Sequence, residues 1–178
     1  MRTLVIGGIE VPVHSLHDFR QSYSVVGGYN NRRRKYDGTG FAQEVWKRLK
    51  TVITASGILP PGFGSFEPTQ QYVVQCAAGR KVESLSNVIA LPAGRRSGGI
   101  YDPVGYAWVP EVGKHIADSE VEVGFSSVAG DTYTLNTHAG AQHYYVVYYP
   151  VITAYIQVTE DIDVREAGYG WTLDAEEV

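Results

Sequence analysis

The residue types that most often carry chemistry are sparse in this sequence. His14-x-x-His17-Asp18 sets two imidazoles three positions apart beside a carboxylate. Zinc sites and 2-His-1-carboxylate sites use such donors. That spacing converges on one face only in a helix; on a strand the two rings point to opposite faces. The segment follows an apolar, strand-like stretch and has no run of helix formers, so solvated or core histidines are the favoured reading. His138 and His143 are as loosely placed. Cys76 is the single cysteine, which excludes an intrachain disulfide framework and a multi-thiolate metal site. Set between Val74 and Ala77, it reads as an inert buried thiol. Gly62-Phe63-Gly64 and Gly98-Gly99 lack the lysine and helix of a phosphate loop. No G-x-S-x-G elbow is present. Glu120, Glu122, Asp131, Glu160, Asp161 and Asp163 include types suited to a glycosidase pair, but no spacing singles out two of them. A solvated strand face and an acidic loop explain them. No catalytic residue, metal or cofactor is therefore expected, and the chain is not read as an enzyme.

Two other features are more informative. The run Arg32, Arg33, Arg34, Lys35, with Tyr29 and Tyr36 beside it, cannot bury and must form a loop or hairpin tip. It suits an anionic partner, a solvated tip that guards a sheet edge, or a contact with acidic residues of a second copy such as Asp161, Asp163, Glu176 and Glu177. A net charge of −4 argues against nucleic acid as the main partner. Arg95-Arg96 is a smaller basic patch. The second feature is the ribbon Tyr144, Tyr145, Val146, Val147, Tyr148, Tyr149. As a strand it carries aromatics on both faces, so both faces must be covered, by core on each side or by core and a partner subunit. Tyr144, Tyr145, Tyr148 and Tyr149 are thus candidate interface residues, together with Arg32, Arg33, Arg34 and Lys35.

The elements that position these residues are expected to be strands. Of 178 residues, 20 are glycine and 13 tyrosine, while methionine occurs once. Turns and strand formers therefore dominate over helix builders. With 44% hydrophobic and 19% charged residues the chain is not disordered. Gly7-Gly8 between apolar runs predicts a hairpin. Residues 41–56 are ambiguous: Phe41, Val45, Leu49, Val52 and Ile53 fit a helix, but the β-branched second half favours a strand over residues 46–55. The Pro- and Gly-rich stretch 57–64 is the best boundary. It predicts a hairpin-rich belt over residues 1–62 and a β-sandwich or barrel over 63–178, with at most one short helix. No apolar run approaches the roughly 20 residues that span a bilayer, and the first residues lack a signal-peptide pattern.

The layout of the N-terminal third adds a resemblance. A short apolar hairpin, a loose strand, an Arg-rich loop ending in Asp37-Gly38-Thr39, the strand-like WKRLKTVITASG and a Gly-Ile-Leu-Pro-Pro-Gly exit follow one another. Over about residues 1–80 this resembles tail-tip proteins of long-tailed bacteriophages, of the distal tail or baseplate hub type. The resemblance implies a β belt, a symmetric and commonly six-membered ring, and a place in the virion between the tail tube and the receptor-binding tip, after synthesis in the host cytoplasm. It implies partners among tube and hub subunits, no membrane, and no catalytic residues. The second part does not match the family's usual accessory domain. A head-to-tail connector or head decoration protein, and a carbohydrate-binding β-module acting through Tyr101, Tyr106 and Trp108, are the alternatives.

Overall fold

The computed structural model describes residues 2–27, 33–34, 36, 40–41, 46–110, 119–163 and 168–178. Strands make up 59% of it and no helix reaches seven residues. The protein is mainly β, as its β-branched and tyrosine-rich composition dictates. The ambiguous stretch forms a strand, Lys47–Gly57, in which Thr51, Ile53 and Ala55 are buried and Val52 and Thr54 half-buried. That period of two is the strand signature, and it outweighs the helical spacing of the larger apolar residues. Residues 42–45 lie outside the described residues.

Two compact units divide the chain. One is Thr3–Val74 with Ile152–Val178; the other is Met1–Arg2 with Gln75–Val151. The sequence reading expected a break near residue 62 and a single domain from 63 to 178. The crossings instead fall at 74–75 and 151–152, because the final hairpin pairs with the N-terminal strands. Partnership between strands so distant in sequence leaves no mark on local composition.

The first unit is a seven-stranded sheet. Its strands are β1 (Val5–Ile6), β2 (Ile9–Glu10), β3 (His17–Gly27), β6 (Lys47–Gly57), β7 (Gln71–Gln75), β15 (Val151–Asp163) and β16 (Gly168–Glu177). The order is β2-β1-β7-β15-β16-β6-β3. Between β3 and β6 lie the short strands β4 (Arg33–Arg34) and β5 (Gly40–Phe41), paired with each other. The expected Gly7-Gly8 hairpin is present, with φ of 58° and 85°, values that favour glycine. On one face of the sheet Ile53, Ala154, Ile156, Trp171, Leu173 and Ala175 are buried. Phe63, in the 3-10 turn Phe63–Ser65, packs edge-on against Trp171 at 5.1 Å. The Trp171 indole N–H donates to the Ser15 carbonyl at 2.8 Å, and the Ser15 hydroxyl donates to the Leu59 carbonyl at 2.8 Å. The opposite face carries Ser22, Ser24, Lys50, Thr54, Thr172 and Asp174, the polar half of the alternation.

The second unit is a β-sandwich. A four-stranded sheet in the order β11 (Glu120–Val123), β10 (Val104–Trp108), β14 (His143–Tyr148), β8 (Arg80–Ser84) faces a three-stranded sheet in the order β12 (Phe125–Ala129), β13 (Thr132–Leu135), β9 (Val88–Ala90). Between them Ala107, Tyr144, Val146 and Tyr148 meet Ile89, Leu91, Tyr133 and Leu135.

Candidate functional site

An arm leaves the first unit at the β3 edge. β3 and β6 pair in one register from Arg20↔Thr54 to Gly27↔Lys47. β16 pairs with β6 only as far as Glu176↔Lys50. The rungs Val26↔Arg48 and Gly27↔Lys47 therefore have no β16 residue beside them. A side chain ends the ladder there: the Leu49 backbone N–H donates to Glu177 Oε2 at 2.7 Å. β4 and β5 pair as Arg33↔Phe41 and Arg34↔Gly40, the register that the β3–β6 ladder reaches if continued. Six residues beyond Gly27, Arg33 can stand at most about 20 Å further out. The sequence-selected arginines Arg33 and Arg34 thus form strand β4, while Arg32 and Lys35 lie outside the described residues. At the root of the arm Val25 and Trp46 are 48% and 49% exposed, and Tyr36 beyond it is fully exposed. Between Phe19 and Gly27 the edge strand carries one charge, Arg20. Edges that resist pairing normally carry more.

Of the two kinds of cover that the sequence leaves open for the tyrosine ribbon, the chain itself supplies most. Tyr144, Tyr145, Tyr148 and Tyr149 are between 2% and 8% exposed within one chain. Tyr144 and Tyr148 belong to the sandwich core, and the Tyr144 hydroxyl accepts the His138 backbone N–H at 3.0 Å. Tyr145 lies on the outer face, where the Tyr106 ring stacks on it at 5.0 Å and Lys81 Nζ approaches it at 5.1 Å. Tyr149 meets Tyr101 edge-on at 5.4 Å and the Arg2 guanidinium at 4.6 Å. Both faces are covered, as the pattern requires, but by the chain's own side chains. The expected intersubunit role of these four tyrosines gives way to a structural one, since little of their area is left for a second copy. Burial raises the hydroxyl pKa of Tyr145, with the hydrogen bond to Glu120 adding to the shift. Burial also raises that of Tyr149.

The outer aromatics weighed for sugar binding are arranged in stacked pairs. Trp108 stacks on His143 at 5.6 Å and 16°, and Tyr106 on Tyr145 at 5.0 Å and 16°. Within each pair the rings turn one face to one another. Tyr101 is capped by Arg96, whose guanidinium carbon lies 3.4 Å from its ring centre. The second basic patch is likewise engaged: Arg95 Nη1 reaches Asp131 Oδ1 at 2.6 Å, and Arg96 Nη1 donates to the Cys76 carbonyl at 3.2 Å.

The remaining candidates stay apart. His14 sits in the 3-10 turn Val13–Ser15 and His17 begins β3; both are exposed. Asp18 takes a φ of 51° at an irregularity between His17 and Arg20, a left-handed conformation that aspartate tolerates. Among the described residues no group of three or more His, Cys, Asp or Glu side chains is placed to hold a metal ion. The carboxylates weighed for a glycosidase pair are distributed over β11, the β12–β13 turn and β15. Among the same residues no helix is long and apolar enough to cross a membrane. No family model, curated protein or solved structure matches the chain.

One surface escaped the sequence reading. Within the Pro- and Gly-rich boundary stretch 57–64, and just after it, Phe63, Gly64, Phe66 and Pro68 form one wall of a groove of about 420 Å³, and Ile156, Gln157, Val158 and Glu160 of β15 form the other. The available signal was two aromatic rings in a Pro- and Gly-rich segment, where a solvated linker would carry none.

Proposed function

We propose that this protein is a structural subunit of a symmetric assembly, a ring at the tail tip of a long-tailed bacteriophage, where it joins the tail tube to the receptor-binding apparatus. The observation that carries the reading is the two-stranded arm. β3 and β6 run past their last β16 rung, Arg33 and Arg34 of β4 pair with β5 in the same register, and Val25 and Trp46 at the root are half-exposed; in the sequence Arg33 and Arg34 belong to a run of four cations. An isolated two-stranded ribbon is marginal in water, so an arm of this kind gains its order by docking. The layout of the N-terminal third, similar to distal tail proteins, supplies the virion setting and the expectation of six copies. Connector and decoration proteins are other particles of the same class.

Molar mass in solution by light scattering, paired with negative-stain images, tests the reading. Closed rings or stacked discs are the expected result. A monomer that persists at high concentration and joins no tail particle overturns it.

A further inference from the structure

The cationic arm needs an acceptor, and the groove beside β15 has the matching chemistry. β7 has five residues and β15 thirteen. The Cys76 N–H to Pro150 carbonyl bond and the Gln71 to Tyr155 hydroxyl bond mark the two ends of β7 along β15. From Gln157 to Glu160, β15 therefore runs past the end of β7, and the groove occupies that level. Its lining holds Glu160 and no cation, and the exposed Glu67 lies between the lining residues Phe66 and Pro68. Two carboxylates thus stand beside a wall of two phenylalanines and a proline. Arg32, Arg33, Arg34 and Lys35, followed by the bare ring of Tyr36, are the complement in charge and in apolar character.

The arm of the same chain is badly placed to fill this groove. It leaves from β3, three strands from β15 across β16 and β6, or about 14 Å at ordinary strand spacing. It departs beyond the Glu176↔Lys50 end of the sheet, whereas β15 rises from Ile156 towards the Asp163↔Gly168 end. Donor and acceptor lie on opposite edges. A contact between them joins copies head to tail, the heterologous geometry that closes into rings.

We propose that the groove between Phe63, Phe66, Pro68 and β15 receives the arm of a second copy, with residues 32–35 against Glu67 and Glu160 and Tyr36 against the Phe66–Pro68 wall. The proposal rests on the assembly reading and names its contact.

Cysteine pairing tests it in the full chain, Cys76 being buried. Tyr36→Cys and Gln157→Cys chains are prepared separately, mixed and mildly oxidised. A disulfide-linked dimer that forms in the mixture and in neither chain alone is expected. A chain with Glu67→Lys and Glu160→Lys should need at least a tenfold higher concentration to assemble. Adding Arg33→Glu and Arg34→Glu to that chain should restore assembly, while far-UV circular dichroism shows each variant folded. Rings that form without the mixed dimer, or that ignore the charge changes, overturn the groove as acceptor and leave the assembly reading standing. A monomer under all conditions overturns both.

Discussion

Trp171 and Ser15, 156 positions apart, meet in a buried hydrogen bond from indole nitrogen to backbone carbonyl. It pins the turn before β3 to the central strand β16. Trp171→Phe keeps an aromatic ring against Phe63 but leaves the Ser15 carbonyl without its donor. We expect a loss of about 1–3 kcal/mol, read as a lower urea midpoint with unchanged slope.

Gly57 closes β6 where the backbone of the preceding turn crosses it. A Cβ there would stand 2.5 Å from Ser15 Cα and closer still to the His14 carbonyl oxygen. The Ile58 N–H donates to that same carbonyl at 3.0 Å, so backbone must move to make room. Gly57→Ala should cost at least about 2 kcal/mol in chemical denaturation, the scale of overpacking. A neutral result would show that the turn can slide along β6.

Arg33→Glu combined with Arg34→Glu should impair assembly and leave the monomer's melting temperature within a few degrees of wild type. The residues stand on an arm that no β16 residue flanks, so the fold depends little on them. Unchanged ring formation, seen by negative stain, would remove the arm from the interface.

The tyrosines give a pH dependence with a definite sign. Burial raises the pKa of Tyr145 and Tyr149 above the ordinary value of 10.0. Their contribution to stability is complete below pH 10, where both states are neutral, and is lost as pH rises and the unfolded chain ionises first. In absorbance at 295 nm the thirteen tyrosines should give an early alkaline phase and a late one that accompanies unfolding. Tyr145 and Tyr149 should follow only with unfolding, and Tyr145→Phe should remove absorbance from that late phase alone. Loss from the early phase would contradict the buried placement.

Lys50 and Asp174 face each other across β6 and β16 at 2.6 Å. Hydrogen bonding to Asp174 raises the Lys50 pKa above 10.5. The advantage of wild type over Lys50→Met should be constant through neutral pH and fade as pH climbs past 10.5. A difference that instead grows in alkali would assign Lys50 another partner.

The class of the fold was legible in the residues because composition and period are local properties. Thr51, Val52, Ile53 and Thr54 name a strand whatever they pair with, and Gly7-Gly8 names a tight turn. Pairing is different. Nothing in residues 152–178 announces that β16 will lie between β15 and β6, so the sequence boundary at residue 62 missed the shared sheet. The tyrosine ribbon was read correctly as doubly covered, but a sequence cannot say whose atoms provide the cover; Tyr106 and Lys81 become neighbours of Tyr145 only through register. Phe63 and Phe66 went unnoticed because prolines and glycines around them speak of loops, and loops are not expected to build walls.

The bond between the Leu49 backbone and the Glu177 side chain spans 128 positions. On the ribosome, at roughly 5–20 residues per second, the arm emerges many seconds before the strand that anchors its root. Residues 75–151 can collapse into their sandwich meanwhile. The hairpin thus spends its first moments without a foundation, and the grip on a neighbour proposed for it would have to wait until synthesis has moved well past the sandwich.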